Sequence, residues 1–266
     1  HCISSAASDV YKRQACGLQG EAALEQAFDY VDAVIKKDVS RVDGVNRNAT
    51  TTRLLLRSYA RNQGSQATIG TIVADMMTND ENEISVKTAG SYLEALRKIF
   101  VIEDSEAWNP NLRSKTAIRT ANTRYFIDPS IGTAVLGLGP KDLINDLNTM
   151  GLFFETLCIR DLRVFADALD GEVYHYRDKN RLECDAVVHL RNGKYGLVEV
   201  KLGGDKLINE GAENLLTLAG KINTEKMNDP SFMMVLTGTG DFAYRRKDGV
   251  YAVSYTHLTL PTICSV

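Results

Sequence analysis

The chain has 266 residues, 44% of them hydrophobic and 24% charged, which suits one large or two ordinary globular domains. Its net charge is −3, so no overall basic excess points to nucleic acid, and any such contact must come from a local patch. No apolar run is long enough to span a membrane, and the five cysteines show neither zinc spacing nor a disulfide framework, which favours a reducing, cytoplasmic setting.

The ends are set apart from the rest. Ser4–Gln14 (SSAASDVYKRQ) and Val253–Thr262 (VSYTHLTLPT) read as translations of the two strands of one oligonucleotide. It looks like the adapter of transposase-based sequencing libraries. Residues 1–14 and 253–266 are therefore expected to be adapter-derived scars on a metagenomic fragment without its natural N-terminus.

From Glu21 the pattern is helical. Leu24, Phe28, Val31 and Ile35 recur at helical spacing through Ser40, and VDGVNRN (Val42–Asn48) follows as a polar connector. Residues 15–52 are read as one helical segment. A second helix is expected over Arg53–Asn62, and a third runs to Met77 behind Gln66 or Thr68. A fourth runs over Val86–Phe100 behind Ser85 as cap. Val101–Asp104 and Arg124–Ile127 read as two strands around a basic loop. Three helices and a two-stranded ribbon are the pattern of a winged helix-turn-helix, over 53–137. If such a module meets DNA, Lys87, Thr88 and Ser91 on the fourth helix face the major groove. Arg113 and Lys115 in the loop would then meet phosphates. The structural alternative is a packing module, since Lys87 is the sole charge at that helix start.

Pro129 and Gly132 read as a break, and Pro140 as the start of a short helix. Gly151–Leu169 is a long helix, with Glu155 in its first turn among apolar residues. Glu172–Arg177 is a strand. Arg181–Gly203 (RLECDAVVHLRNGKYGLVEVKLG) is a hairpin turning at Asn192-Gly193. On its second strand Leu197, Glu199 and Lys201 share one face, and Val198, Val200 and Leu202 the other. Asp185 lies on the first strand, opposite in face to Cys184 and Ala186. Asp185, Glu199 and Lys201 thus converge at one sheet edge. A helix over Asp205–Lys221, a strand over Ser231–Thr237 and a last hairpin through Asp248-Gly249 complete 138–252.

An aspartate one strand before a Glu-x-Lys is the arrangement of the PD-(D/E)xK nuclease-like fold. Phosphodiester hydrolysis needs a hard cation, and Mg²⁺ is held by carboxylate oxygens and water. A neighbouring lysine orients the water or neutralises developing charge. The structural alternative is a solvated strand face with a surface ion pair. The expected fold class is α/β (α+β): a helical winged module, then a restriction-endonuclease-like domain with a mixed sheet. The fragment has no G-x-x-x-x-G-K-[ST] loop, so no ATPase activity of its own is expected.

Four stretches carry a resemblance to a known family: Tyr30–Val39, Ser85–Ile102, Arg124–Gly137, and Gly151–Lys206 with its ECDAVV and GLVEVKLGGDK. From about Glu21 to Val253 the chain resembles the C-terminal part of bacterial and archaeal AAA-type ATPases that carry the domain of unknown function 4143. The resemblance implies a P-loop ATPase module before Ala15, lost with the fragment, so that ATP enters only through that module. It also implies a winged helix followed by a nuclease-like domain. Glu155, Asp185, Glu199 and Lys201 then match that fold's catalytic positions, with Asp185, Glu199 and Glu155 holding Mg. Two functions follow as expectations. One is a Mg-dependent DNA nuclease gated by its ATPase module. The other is a non-catalytic module that binds DNA or a protein under the control of that module.

Overall fold

The computed structural model describes residues 18, 20–76, 84–110, 121–222 and 227–258. Two compact units divide the chain. The first comprises residues up to Asp104 together with Thr123–Thr156, and the second Ser105–Asn122 with Leu157 onward.

The first unit is helical. Helix α1 (Glu21–Ala33) passes through a π-helical turn (Val34–Asp38) into the short turn Val39–Arg41. Its packed stripe is Ala27, Val31, Val34 and Ile35. Leu24 and Phe28, expected on that stripe, are exposed, and the packed stripe runs through Ala27 instead. The polar connector after it hides a buried arginine. Arg47 donates to both carboxylate oxygens of Asp43 at 2.7 and 2.8 Å and to the Val39 carbonyl at 2.7 Å. Its guanidinium also lies 5.6 Å from the Tyr92 ring centroid.

Helix α2 (Ala49–Arg61) starts four residues earlier than expected, because Asn48 accepts a hydrogen bond from the Thr51 N–H at 3.0 Å and acts as the cap. Helix α3 (Ile69–Met76) and helix α4 (Val86–Lys98) follow, the latter capped by Ser85 through the Thr88 N–H at 3.0 Å. Within the expected ribbon Ile102 bridges Phe126 antiparallel, flanked by the Glu103 N–H to Tyr125 O and Ile127 N–H to Val101 O bonds. Asp104 accepts from Arg97 at 2.7 Å, from Arg124 at 2.5 Å and from the Tyr59 hydroxyl.

Pro129 and Gly132, read as a break, are instead inside helix α5 (Pro129–Leu136). Proline is suited to the first helical position, where its missing N–H has no partner to lose, and Asp128 caps the helix through the Ser130 N–H at 3.0 Å. Gly132 is there for packing: a Cβ on it would stand 2.6 Å from the Phe153 ring. Helix α6 (Pro140–Asn145) is short, and helix α7 (Leu147–Asp167) begins in the first unit and ends in the second.

The second unit holds a six-stranded mixed sheet: β1 (Gly171–Arg177), β2 (Glu183–Leu190), β3 (Tyr195–Lys201), β4 (Phe232–Thr237), β5 (Tyr244–Arg245) and β6 (Tyr251–Ser254). Their order is β1-β2-β3-β4-β6-β5. The β1–β2, β2–β3 and β6–β5 pairs are antiparallel, whereas β3–β4 and β4–β6 are parallel. The parallel step from β3 to β4 is made through helix α8 (Asp205–Lys221), as a crossover requires. Ile208, Ala212, Leu215 and Leu218 of α8 pack with Val187, Leu197, Val235 and Ala252 of the sheet. Strand β6 crosses the boundary at 253 expected from the adapter-like ends. Val253 and Ser254 pair with Leu236 and Thr237, and Leu258 is buried. Among the described residues no helix is long and apolar enough to cross a membrane.

Candidate active site on the β2–β3 hairpin

The hairpin turns as its residues dictate. Gly193 takes φ +84°, the Lys194 N–H donates to the Asn192 side chain at 2.9 Å, and the Leu190 N–H donates to the Lys194 carbonyl at 2.8 Å. Its register pairs Ala186 with Val198, Val187 with Leu197 and His189 with Tyr195. One position beyond the last pair, Asp185 comes opposite Glu199. On its other side β2 bulges against β1. Between the pairs Tyr174–Val187 and Tyr176–Cys184, the single residue His175 faces two, Asp185 and Ala186. A bulge bends the strand and re-aims a side chain, and here the re-aimed residue is Asp185.

Asp185 does not remain on a strand surface. Its Oδ2 accepts a hydrogen bond from the Val200 N–H at 2.7 Å, so the carboxylate replaces a carbonyl where the ladder ends. Lys201 Nζ lies 2.6 Å from Glu199 Oε2 and 3.8 Å from Asp185 Oδ2. The three residues expected to converge are thus brought together by one hairpin.

The solvated-face alternative fails for Glu199, which is 2% exposed. Both faces of β3 are covered, so the strand is buried throughout except at Lys201. Helix α8 covers the Glu199 face, and it comes close enough because residue 211 is glycine. A Cβ there would stand 3.2 Å from Val235 and 3.4 Å from Glu199 Cβ. Burial first, and the charge of Asp185 second, push the Glu199 carboxyl up to about 8, against the pull of Lys201. A buried carboxyl that retains its proton near neutrality beside a second acid is a mark of functional sites.

Glu155 has a different setting. Helix α7 starts at Leu147, so Glu155 lies in the third turn rather than the first, and the helix dipole does not account for it. It belongs to the first unit, where its carboxylate accepts from the Tyr125 hydroxyl. Thr88 and Ser91, expected to face DNA, have protein partners: the Thr88 hydroxyl bonds to that of Ser85 at 2.9 Å, and Ser91 accepts from Arg47 at 3.3 Å. Lys87 is exposed and has no ion pair among the described residues. Arg113 and Lys115 lie outside the described residues.

Two residues were missed by sequence reasoning. His175 is buried opposite the bulge, its Nδ1 3.0 Å from the Ser105 carbonyl, and its Nε2 has no hydrogen-bond partner among the described residues. Burial holds its pKa below the ordinary 6.5. Gly211 was read as an ordinary helix residue. For His175 the only available signal was alternation in EVYHYR, which puts it on the same face as Val173.

A hard divalent cation suits the donor set. The donors are carboxylate oxygens, and Mg²⁺ commonly takes one or two carboxylates and completes its shell with water. The two acids face one lysine, and a cation held there would compete with Lys201 and with the proton that burial favours on Glu199. Among the described residues no group of three or more His, Cys, Asp or Glu side chains forms a metal cluster.

Residues 150–258 match the model of a domain of unknown function, DUF4143. The DUF4143 segment contains Glu155, Asp185, Glu199 and Lys201, and it runs from α7 to Leu258. Residues 18–142 match a separate model, domain of unknown function DUF8612. The helical part ahead of the DUF4143 segment thus has a family model of its own. The chain is also 24% identical over 131 residues to argininosuccinate synthase of Burkholderia pseudomallei (strain K96243), covering 49% of this chain and 31% of that protein. The match spans about a third of that relative's length and assigns no residue role in the DUF4143 segment.

Proposed function

We propose that the DUF4143 segment is a PD-(D/E)xK nuclease-like domain that hydrolyses phosphodiester bonds in DNA with a divalent cation, in a cytoplasmic protein whose ATPase module lies outside this chain. One observation carries the reading: Asp185 and Glu199, opposite each other on β2 and β3, are both reached by Lys201 Nζ at 3.8 and 2.6 Å. The sheet order and the crossover through α8 agree with it.

Asp185 and Glu199 would hold the cation. When bound, it supplies a water of lowered pKa and charge for the phosphate oxygens. The residues have distinct parts. The Val200 N–H fixes the Asp185 carboxylate. Glu199 would have to be ionised to serve as a ligand, and Lys201, beside both acids, would stabilise the charge that develops on the phosphate. The helical unit would be a winged module that presents α4, with its exposed Lys87, to DNA.

A second reading rests on the same geometry. With Glu199 protonated and tied to Lys201, the trio also serves as a structural plug in a non-catalytic module that binds DNA or a protein. Cleavage of linear, single-stranded and branched DNA with Mg²⁺ or Mn²⁺ separates the two. Metal-dependent cutting lost in both Asp185→Ala and Glu199→Ala, with folding intact by circular dichroism, supports the nuclease. No cutting by the wild type moves the weight to the plug.

A further inference from the structure

Asp185 owes its place to the bulge in β2, and the bulge has supports of its own. Cys184 and Val187 are three residues apart, yet both belong to the core beneath α8, because the strand gains a residue between them. A bulge takes backbone groups out of the ladder, and those that are buried need another partner. The buried Cys184 thiol supplies one. Its Sγ lies 3.3 Å from the Ala186 carbonyl oxygen and 3.4 Å from that of Val198, the residue paired with Ala186. The side chain just before Asp185 is thus folded back over the bulge and tied to both strands.

His175 supports the bulge from β1. Tyr174 and Tyr176 pack on the core beneath α8, so alternation turns His175 to the opposite face. Three hydrogen bonds hold it to one segment. Its N–H donates to the Glu106 carbonyl at 2.9 Å, its carbonyl accepts from the Trp108 N–H at 2.7 Å, and its Nδ1 lies 3.0 Å from the Ser105 carbonyl oxygen. Ala107 thereby bridges to it in parallel. The Trp108 ring packs on Tyr176 and Tyr195, 6.2 and 5.2 Å between centroids. Strand β1 is clamped at the one residue that faces the bulge. The buried Nε2 of His175, with no partner among the described residues, destabilises the fold, so a phenyl ring would pack this face more cheaply. What imidazole supplies and phenyl cannot is the bond to Ser105.

We infer that His175 and Cys184 are positioning residues for Asp185, which hold the β2 bulge in the register that delivers the Asp185 carboxylate to the Val200 N–H, beside Glu199 and Lys201. Both act through the bulged backbone. The inference deepens the proposed cation site and rests on that reading for its metal measurement, whereas the Val200 hydrogen bond tests it without metal.

The Val200 N–H reports on the Asp185 carboxylate, and its hydrogen exchange is read by NMR on the full chain in EDTA. Asp185→Ala, which removes the acceptor, sets the full effect. His175→Phe and Cys184→Ala should each speed Val200 exchange roughly 10- to 100-fold, while Val235 and Leu236 on β4 keep their wild-type rates. His175→Asn and Cys184→Ser, which retain a donor in the same place, should restore slow exchange. Mn²⁺ affinity, read by electron paramagnetic resonance, should fall roughly 10- to 100-fold in the first two variants and recover in the second two. Wild-type exchange at Val200 in both His175→Phe and Cys184→Ala overturns the inference. So does faster exchange shared equally by β4, the mark of a merely structural role. If His175→Phe does not fold, Cys184→Ala and its serine rescue carry the test. If the wild type takes up no Mn²⁺, the cation reading fails, and Val200 exchange still decides the positioning.

Discussion

Glu199 ties its ionisation to the stability of the sheet. Its folded pKa, about 8, lies above the ordinary 4.5 because burial and Asp185 disfavour the charge. The folded state therefore retains a proton that the unfolded chain has lost. The stabilisation is full below about pH 4.5 and disappears as pH rises through 8. In EDTA the denaturant midpoint of the second unit should fall between pH 5 and 8, by an amount on the order of a few kcal/mol. Glu199→Gln should flatten that slope, and a slope unchanged in the variant would assign it to another group. His175 acts in the opposite sense. Its folded pKa is depressed by burial, so its contribution is present above 6.5 and is lost as pH falls below it. His175→Asn retains a donor for the Ser105 carbonyl and removes the titration. The variant should lose less stability than wild type between pH 6.5 and 5, as read by urea melts at each pH.

Elements are set by caps and close approaches. Ser85 opens α4 by accepting the Thr88 N–H, and Ser85→Ala should cost about 1 kcal/mol in the melting of the first unit. At Gly211 the demand is for space. Gly211→Ala puts a methyl group against Val235 and Glu199, and α8 must lift. Overpacking of this kind costs about 1–3 kcal/mol. The change should also perturb any metal-dependent cutting, while Ser85→Ala leaves it alone; equal rates in the two variants would mean that α8 does not set the Glu199 environment. Some elements were legible in the sequence because their signals are local. The Asn192-Gly193 turn, the Ser85 cap and the bounds of α8 are of this kind. Others were misread because the signal admits two meanings. Proline breaks a helix interior but opens a helix at its first position, and only the Asp128 cap distinguishes these cases at Pro129.

At the scale of the molecule, each unit has its own core. Leu56 belongs to one and Leu215 to the other. Leu56→Ala and Leu215→Ala, each expected to cost about 2–5 kcal/mol, should lower different transitions in a calorimetric scan; one common shift would show that the units melt together. By compactness the units part within α7, and Ser105–Asn122 belongs with the later strands, whereas the two family matches break between 142 and 150, near the 138 read from the sequence. Ala107 bridges to His175 and the Trp108 N–H donates to its carbonyl at 2.7 Å, a pairing nearly seventy residues distant in sequence. No local pattern records such a partner.

By itself the sequence determined which residues share a face. Alternation of two on β2 and β3, with the turn between them, is enough to bring Asp185, Glu199 and Lys201 to one end of the hairpin. It also carried the crossover helix and the order of the strands. Tertiary structure alone decided how deep the site lies. Period-two geometry reports the side to which a residue points and says nothing of what covers that side. Glu199 reads as a solvated charge until α8, allowed close by Gly211, and parallel β4 bury it. The alignment of Tyr244 with Glu199 through Ala252 and Val235 came from the same source, since it depends on three strand pairings between residues distant in sequence. Such pairings form because they bury apolar surface collectively, and no single segment encodes them.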